Sequence, residues 1–323
     1  MMAHPEPASA EPAKVAIALH GGAGTIERGS MTPSLEAAYL EFLDAAVTAG
    51  HLQLLEGAPG LDVVVEIIQL MEESPLFNAG RGAVYTWEGA HELDASIMHG
   101  AQLDAGAVAG VRTVASPIAL ARAVMEHSPH VMLAGAGAEE FARELGFDEV
   151  PAGYFDSERR KKALEAYKAN EQAGIAAEAD HKFGTVGVVV LDSQGNLVAG
   201  TSTGGMTGKR WGRIGDSPVI GAGTYADNRS CAVSATGHGE YFIRHTVARS
   251  ICARMQFGGA TLEEAANTVV MKELVAAEGE GGVVAVDPAG RVALVFNTPG
   301  MYRASIDVAS HKVVGIYGED ETP

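Results

Sequence analysis

Apolar residues along this chain fall into two textures. Short continuous runs alternate with stretches whose apolar positions recur every three or four residues. Val15 to Leu19 is a run of the first kind, and a buried strand is expected over Lys14 to His20, closed by Gly21-Gly22-Ala23-Gly24. Thr32 followed by Pro33 is a helix start, a hydroxyl cap with proline at the first helical position, and the helix is expected to reach Gly50 or Gly57. Leu61, Val64, Val65, Ile68 and Met71 then repeat at helical spacing until Ser74-Pro75, where the residue before proline leaves helical geometry.

A glycine-bearing loop, Leu76 to Tyr85, follows. His91 to His99 and Gly106 to Val114 are expected as paired strands, and Pro117 to His127 and Ala136 to Leu145 as helices. Charge dominates Ser157 to Lys168, and Gln172 to Asp180 is rich in alanine. This predicts a helical piece and a mobile linker within about 156–184.

The texture changes abruptly at Gly184-Thr185. Val186 to Leu191 and Leu197 to Thr203 flank the turn Asp192 to Asn196 as a hairpin, and Gly282 to Val286 and Arg291 to Phe296 flank Asp287-Pro288-Ala289-Gly290 as another. Between them lie a strand over Cys231 to Thr236, a helix over Glu240 to Phe257, and a capping box at Thr261-Leu262-Glu263-Glu264. Adjacent hairpins argue for antiparallel sheet, and the continuously apolar Val188 to Leu191 requires cover on both faces. Two stacked sheets with helices outside satisfy both demands.

Composition narrows the function classes. The 323 residues are 47% hydrophobic, enough for a large core. Forty-one acidic against 23 basic residues leave a formal charge of −18, which repels phosphate backbones and anionic lipid surfaces, so neither nucleic acid nor membrane is an expected partner. Residues 1–13 lack a basic segment followed by an apolar one and are expected as a disordered tail. Cys231 and Cys252 form no metal pattern; they are expected as reduced core thiols, with a cytoplasmic location following from that.

Several chemical signatures fail. Gly200-Thr201-Ser202-Thr203-Gly204 fits the serine-hydrolase elbow GxSxG in letters, but that motif needs a helix after the turn, and Gly205 to Gly212 is too glycine-rich. HExxH, Walker and GxGxxG patterns are absent. What remains is a concentration of hydroxyls and glycines at strand ends: Thr185, Thr203 and Thr236. Threonine needs a base, and an N-terminal threonine carries one in its own α-amine, whose pKa near 8 suits proton removal at neutral pH. Gly184 leaves the preceding peptide bond unshielded.

Ordered segments support that chemistry together. His20 to Gly24, Pro75 to Gly80, Glu92 to Ser96, Gly184-Thr185-Val186-Gly187, Ser202 to Thr207, Gly212 to Pro218 and Ala235 to Glu240 resemble the plant-type asparaginase/isoaspartyl peptidase family of N-terminal-nucleophile hydrolases, from about residue 14 to 318. Glycine rather than aspartate before the threonine favours this branch over glycosylasparaginase-like relatives. The resemblance implies a four-layer αββα sandwich of the α/β (α+β) class, with two stacked, mainly antiparallel sheets. It implies self-cleavage at Gly184–Thr185 into an α subunit (14–184) and a β subunit (185–323) that share one domain, and an (αβ)2 assembly. The implied reactions are hydrolysis of L-asparagine and of β-aspartyl dipeptides.

By the same resemblance Thr185 is the nucleophile beside Thr203, and Thr236 with the Gly237 amide forms the oxyanion hole. Arg213 clamps the substrate α-carboxylate, Asp216 and the Gly239 carbonyl take its α-ammonium, and Asn78 lies near the nucleophile. The chemistry agrees, because a β-aspartyl substrate carries both charges at its α-carbon and arginine presents a fork to carboxylates. No organic cofactor is implied. A structural sodium ion is, on main-chain carbonyls of Met71, Glu72, Ser74, Phe77, Ala79 and Arg81. Two other readings stay open on residues alone: a Ser202 hydrolase with partners such as Asp227 and His245, and an uncut amino-acid-binding protein using Arg213 and Asp216.

Overall fold

A computed structural model describes residues 14–29, 31–151, 153–174 and 184–318. The expected tail over 1–13 and the 175–183 part of the expected linker lie outside the described residues. In chain order the elements are β1 (Ala16–Gly24), α1 (Pro33–Leu55), α2 (Gly60–Glu73), β2 (Leu93–His99), β3 (Asp104–Val111), α3 (Pro117–His127), β4 (Met132–Ala134), α4 (Gly135–Glu144), α5 (Glu158–Gln172), β5 (Val186–Leu191), β6 (Leu197–Thr203), β7 (Thr224–Ala226), β8 (Ala232–Gly237), α6 (Gly239–His245), α7 (Val247–Gly258), α8 (Leu262–Asn267), β9 (Gly281–Val286), β10 (Val292–Phe296), β11 (Gly300–Ile306) and β12 (Lys312–Tyr317).

Two sheets form among the described residues. The larger runs β12-β11-β1-β5-β6-β2-β3-β4 and the smaller β10-β9-β8-β7. Every pairing is antiparallel except β3 with β4, which is parallel. The sheets stack face to face, with β1 and β5 against β8 and β9. Helices α1, α2 and α3 cover the outer face of the larger sheet, and α7 and α8 that of the smaller. Strands in the middle are therefore buried on both sides, and β1, β5 and β6 are buried at every position. The result is the four-layer sandwich expected from the hairpins. Order within the larger sheet interleaves the two halves of the chain: β1, from before Thr185, lies between β11 and β5, both from after it.

Local chemistry explains several boundaries. The Thr32 hydroxyl accepts from the Leu35 amide and opens α1, and Ser116 does the same for α3 through the Ala119 amide. Thr261 and Glu264 form the reciprocal capping box of α8.

Four expectations need correction. The single helix over Glu240 to Phe257 is two, broken at Thr246, which adopts φ 45°. The break lets the Ala248 and Arg249 amides at the start of α7 donate to the Ala222 and Gly221 carbonyls, which a continuous helix would not reach. The charged stretch after Ser157 holds the expected helical piece, which takes up 158–172 of the span given to the mobile linker. It forms α5, held by Arg160 on the Gly82 carbonyl, Arg159 on the Pro75 and Leu76 carbonyls, and Tyr167 against Gly208. Strands β11 and β12, absent from the expected pattern, complete the larger sheet.

The fourth correction concerns the cysteines. Cys231, just before β8, is disulfide-bonded to Cys252 in α7, with Cα atoms 5.4 Å apart. The two are fully buried where the helix packs on the sheet, close enough to bond although 21 residues separate them. This pairing removes the argument from reduced thiols on which a cytoplasmic location is expected. No helix among the described residues is long and apolar enough to cross a membrane.

Candidate active site

Thr185 lies immediately before the first residue of β5, a central strand, and is buried. Its Oγ1 lies 3.0 Å from Oγ1 of Thr203, at the last position of the neighbouring β6. Thr203 Oγ1 also accepts from the Gly205 amide at 3.0 Å. Strand alternation separates Thr201 and Thr203 from Ser202, which faces the helices instead. There Ser202 Oγ donates to the Glu72 carboxylate at 2.6 Å. Asp227 is paired with Arg229. Ser202 thus has a carboxylate but no base-and-carboxylate relay from Asp227 and His245, and the serine-hydrolase reading falls.

Asn78 ties the glycine loop to the cleavage point. Its backbone amide donates to the Gly184 carbonyl at 2.9 Å, and its carbonyl accepts from the Gly204 amide at 3.0 Å. The side-chain amide is committed as well, Oδ1 accepting from the Val84 amide and Nδ2 donating to the Gly205 carbonyl. Asn78 therefore meets the Gly184–Thr185 bond through its main chain. A β-carbon at Gly184 would lie 2.6 Å from Asn78 Cβ, so this close approach requires glycine.

Thr236 is fully buried near the end of β8 and its hydroxyl accepts from the Ala23 amide of β1 at 3.4 Å. Gly237 follows it and pairs with Gly281. A β-carbon at Gly237 would come 2.4 Å from the Glu280 carbonyl oxygen. The chain then reaches Gly239 at the start of α6, where a β-carbon would lie 2.8 Å from Arg213 Nη2 and 3.0 Å from Asp216 Oδ1. Arg213, Asp216 and Gly239 thus converge, two positions along the chain from the Thr236–Gly237 corner.

This second group is charged throughout. Arg213 forks onto Glu240, Nε to Oε1 at 2.9 Å and Nη2 to Oε2 at 3.0 Å. That partner is missing from the sequence reading, although Glu240 stands one residue beyond Gly239. Asp216 is buried, and its Oδ2 has no hydrogen-bond partner. Burial pushes its carboxyl up to about 7, against the pull of Arg213. Nearby Lys209 donates to the Glu92 carbonyl at 2.8 Å and stands 3.7 Å from Asp94. Burial lowers the Lys209 ammonium and raises the Asp94 carboxyl.

The loop named for sodium is compact. Gly80, at φ 48°, brings its backbone against the Glu72 carbonyl, where a β-carbon would sit 2.2 Å away, and Gly82 does the same to the Phe77 carbonyl at 1.8 Å. The Met71 carbonyl accepts from the Ser74 amide and that of Ala79 from the Gly82 amide. Carbonyls 75 and 76 turn outward to Arg159 and Tyr39. The Arg81 guanidinium stays at the surface, 3.6 Å from Glu73 and over the Tyr154 ring. The Glu72 side chain turns away to Ser202, Ser116 and the Ile118 amide, and burial raises its carboxyl to about 7.

Comparison with known proteins identifies the family. Residues 13–316 match the family described as asparaginase. An isoaspartyl peptidase of Escherichia coli K12 is 50% identical over 311 residues, covering 95% of this chain and 97% of that protein. A probable isoaspartyl peptidase/L-asparaginase 2 of Arabidopsis thaliana is 42% identical over 315 residues, 89% of this chain and 94% of its own. The isoaspartyl peptidase/L-asparaginase of Rattus norvegicus is 41% identical over 274 residues, 85% of this chain and 80% of its own. With a family match over residues 13–316 and relatives at 41–50% identity across most of their length, the chain belongs to the asparaginase family.

Proposed function

We propose that this chain cuts itself between Gly184 and Thr185 and then hydrolyses L-asparagine and β-aspartyl dipeptides with the freed Thr185. The observation that carries the reading is the pairing of the Thr185 and Thr203 hydroxyls at 3.0 Å beside a Gly184 carbonyl already held by the Asn78 amide. In the cut, Thr185 Oγ1 attacks the Gly184 carbonyl carbon, the C–N bond breaks, and the nitrogen takes up the proton lost by the hydroxyl and leaves as the Thr185 amine. Water then hydrolyses the ester, giving a Gly184 carboxylate and a free threonine. The Asn78 N–H stabilises the charge that develops on the Gly184 oxygen.

In turnover, the α-amine takes the proton from Oγ1 as it attacks the side-chain carbonyl of the substrate, and passes it to the departing ammonia or peptide amine. Water releases aspartate and restores Oγ1–H. Thr236 and the Gly237 amide serve the oxyanion of the substrate. Arg213 takes the α-carboxylate on the Nη edge that Glu240 leaves open. The unpartnered Asp216 Oδ2, with the Gly239 carbonyl, takes the α-ammonium.

A hard monovalent cation is proposed for the loop from Met71 to Arg81, where Gly80 and Gly82 lie against the Glu72 and Phe77 carbonyls and the Arg81 guanidinium stays at the surface. Carbonyls of Met71, Glu72, Ser74, Phe77, Ala79 and Arg81 would hold sodium, which would stiffen the loop that carries Asn78. An (αβ)2 assembly of two cut chains completes the reading, and sedimentation of the cut protein measures that assembly.

The direct test is a denaturing gel with N-terminal sequencing. Pieces of 184 and 139 residues (323 − 184 = 139) are expected, the smaller beginning Thr-Val-Gly-Val-Val-Val. An intact chain that still hydrolyses substrate refutes the self-cleaving threonine. An intact chain without amidase activity supports instead an amino-acid-binding protein built on Arg213 and Asp216.

A further inference from the structure

Outside the residues assigned above, one buried polar system touches Thr185. His20, fully buried in β1, places Nδ1 3.0 Å from the Thr185 carbonyl oxygen and Nε2 2.9 Å from Ser234 Oγ. Ser234 Oγ lies 2.7 Å from Thr201 Oγ1, which lies 2.6 Å from Thr224 Oγ1, which lies 2.8 Å from Ser96 Oγ. All four hydroxyl residues are fully buried between the two sheets.

Proton counting gives this row a direction. A carbonyl only accepts, so Nδ1 carries the hydrogen. Burial drives the imidazole pKa down to about 3, so the ring is neutral and Nε2 is an acceptor. Ser234 must then spend its single proton on Nε2 and accept from Thr201. Thr201 in turn accepts from Thr224, and Ser96 divides its single proton between Thr224 Oγ1 and the Ser217 carbonyl. Carbonyls compete only at the far end and along the flank: Ser217 O lies 2.6 Å from Ser96 Oγ and 3.4 Å from Thr224 Oγ1, and Gly223 O lies 3.3 Å from Thr201 Oγ1.

A separate feature points to the same contact. Gly187 pairs with His20 across the β1–β5 ladder. A β-carbon there would come 1.9 Å from Ser234 Oγ and 2.3 Å from His20 Nε2, directly on their hydrogen bond. An otherwise apolar run, Val186 to Leu191, thus carries a glycine at the one position facing that bond.

We propose that His20 is a positioning residue for Thr185, locked in its Nδ1–H tautomer by the one-way row Thr224–Thr201–Ser234. The inference rests on Thr185 being the nucleophile. It assigns the row the task of fixing the Thr185 main chain after the cut, when that residue has lost its covalent neighbour on one side and must still present Oγ1 and its amine in register.

The test uses the processed enzyme. With nitrogen-15 in its histidines, the resonance lost in His20→Asn identifies His20; protonated Nδ1 and bare Nε2 are expected, and protonated Nε2 overturns the proposal. In kinetics, Ser234→Ala is expected to lower kcat about tenfold with KM changed less than about twofold, the split for an interaction that matters to the reacting geometry and not to binding. His20→Leu is expected to lose about 100-fold. His20→Asn, whose amide Nδ2 reaches the place of Nδ1, is expected to retain kcat within about threefold. Equal kcat in His20→Leu and the parent, or in Ser234→Ala and the parent, overturns the proposal. Thr185→Ala separates the two levels: if it is cut and active, the nucleophile reading fails; if it is inert while His20→Leu is fully active, only the role of His20 fails. Should His20→Leu not fold, the tautomer of the unmodified enzyme decides.

Discussion

Two halves of the candidate site use opposite physics. Around Thr185 the groups are neutral: the Thr203 hydroxyl and an imidazole kept uncharged by burial, with the Asn78 amide on the Gly184 carbonyl. Around Arg213 they are ionic, with Asp216, Glu240, Asp94 and Lys209 crowded together. Neutral groups on central strands keep their geometry at little desolvation cost, which suits a nucleophile whose hydroxyl must stay aligned. Buried charges tolerate no such ease; an oxygen of Asp216 left without a partner is costly until a cation arrives. The difference teaches that alignment and recognition are separable here, and substitutions should separate them.

The largest effect belongs to the neutral half. Thr185→Ala is expected to stop cleavage and to cut turnover by about 10⁴-fold or more, read on a gel and by ammonia release. Thr236→Val, which removes the proposed oxyanion donor but little volume, should lower kcat by about 10²–10³. A Thr236→Val enzyme with altered KM and unchanged kcat would break the division between the halves.

Next come the charges. Asp216→Asn should raise KM by about 10–100-fold, the value of a hydrogen bond to a charged group, with kcat nearly unchanged. Its pH dependence follows from the raised carboxyl. Below about 7 the acid is neutral and holds an ammonium poorly, so kcat/KM should climb as pH rises through that region, and the climb attributable to this group should vanish in Asp216→Asn. Stability runs the other way. A carboxyl raised in the folded state favours folding at low pH, and that advantage is lost as pH rises through the folded value. Asp216→Asn should therefore melt higher than the parent at pH 8 and no higher near pH 4, measured by thermal unfolding.

The smallest effect is assigned to the rim. Glu240 is half exposed, so Glu240→Gln should raise KM less than about fivefold by loosening the Arg213 fork, with kcat intact. A large loss of kcat there would show that the rim, too, aligns the nucleophile.

Legibility in the sequence divides along similar lines. Local signals reported well: the Thr32 cap, the helix opened by Pro117, the capping box at Thr261, and β5 and β6 with their bounds. The glycine-flanked threonines and the Arg213-to-Asp216 spacing were visible because each motif is short and contiguous. What stayed hidden was pairing over distance. His20 meets Ser234 across 214 positions, and neither residue carries a local pattern that names the other. The Cys231–Cys252 bond depends on how α7 lies on β8, and spacing alone does not report that. The break at Thr246 answers to carbonyls of the 221–222 turn, outside any helical window. Strand β11 was missed because Arg303, fully buried among its apolar neighbours, masks the expected alternation.

The interleaving of β1 between β11 and β5 has a kinetic consequence. While the chain is whole, bringing those three strands together is an intramolecular search whose rate is independent of concentration. Once Gly184–Thr185 is broken, unfolding yields two molecules, and regaining the sheet becomes a second-order encounter between them. Recovery of the cut protein from denaturant should slow on dilution, whereas an uncut Thr185→Ala chain should recover at a rate indifferent to dilution. The cut thus acts as a ratchet on the folding history of the molecule: it leaves the native sheet in place and removes the one-body route by which that sheet was made.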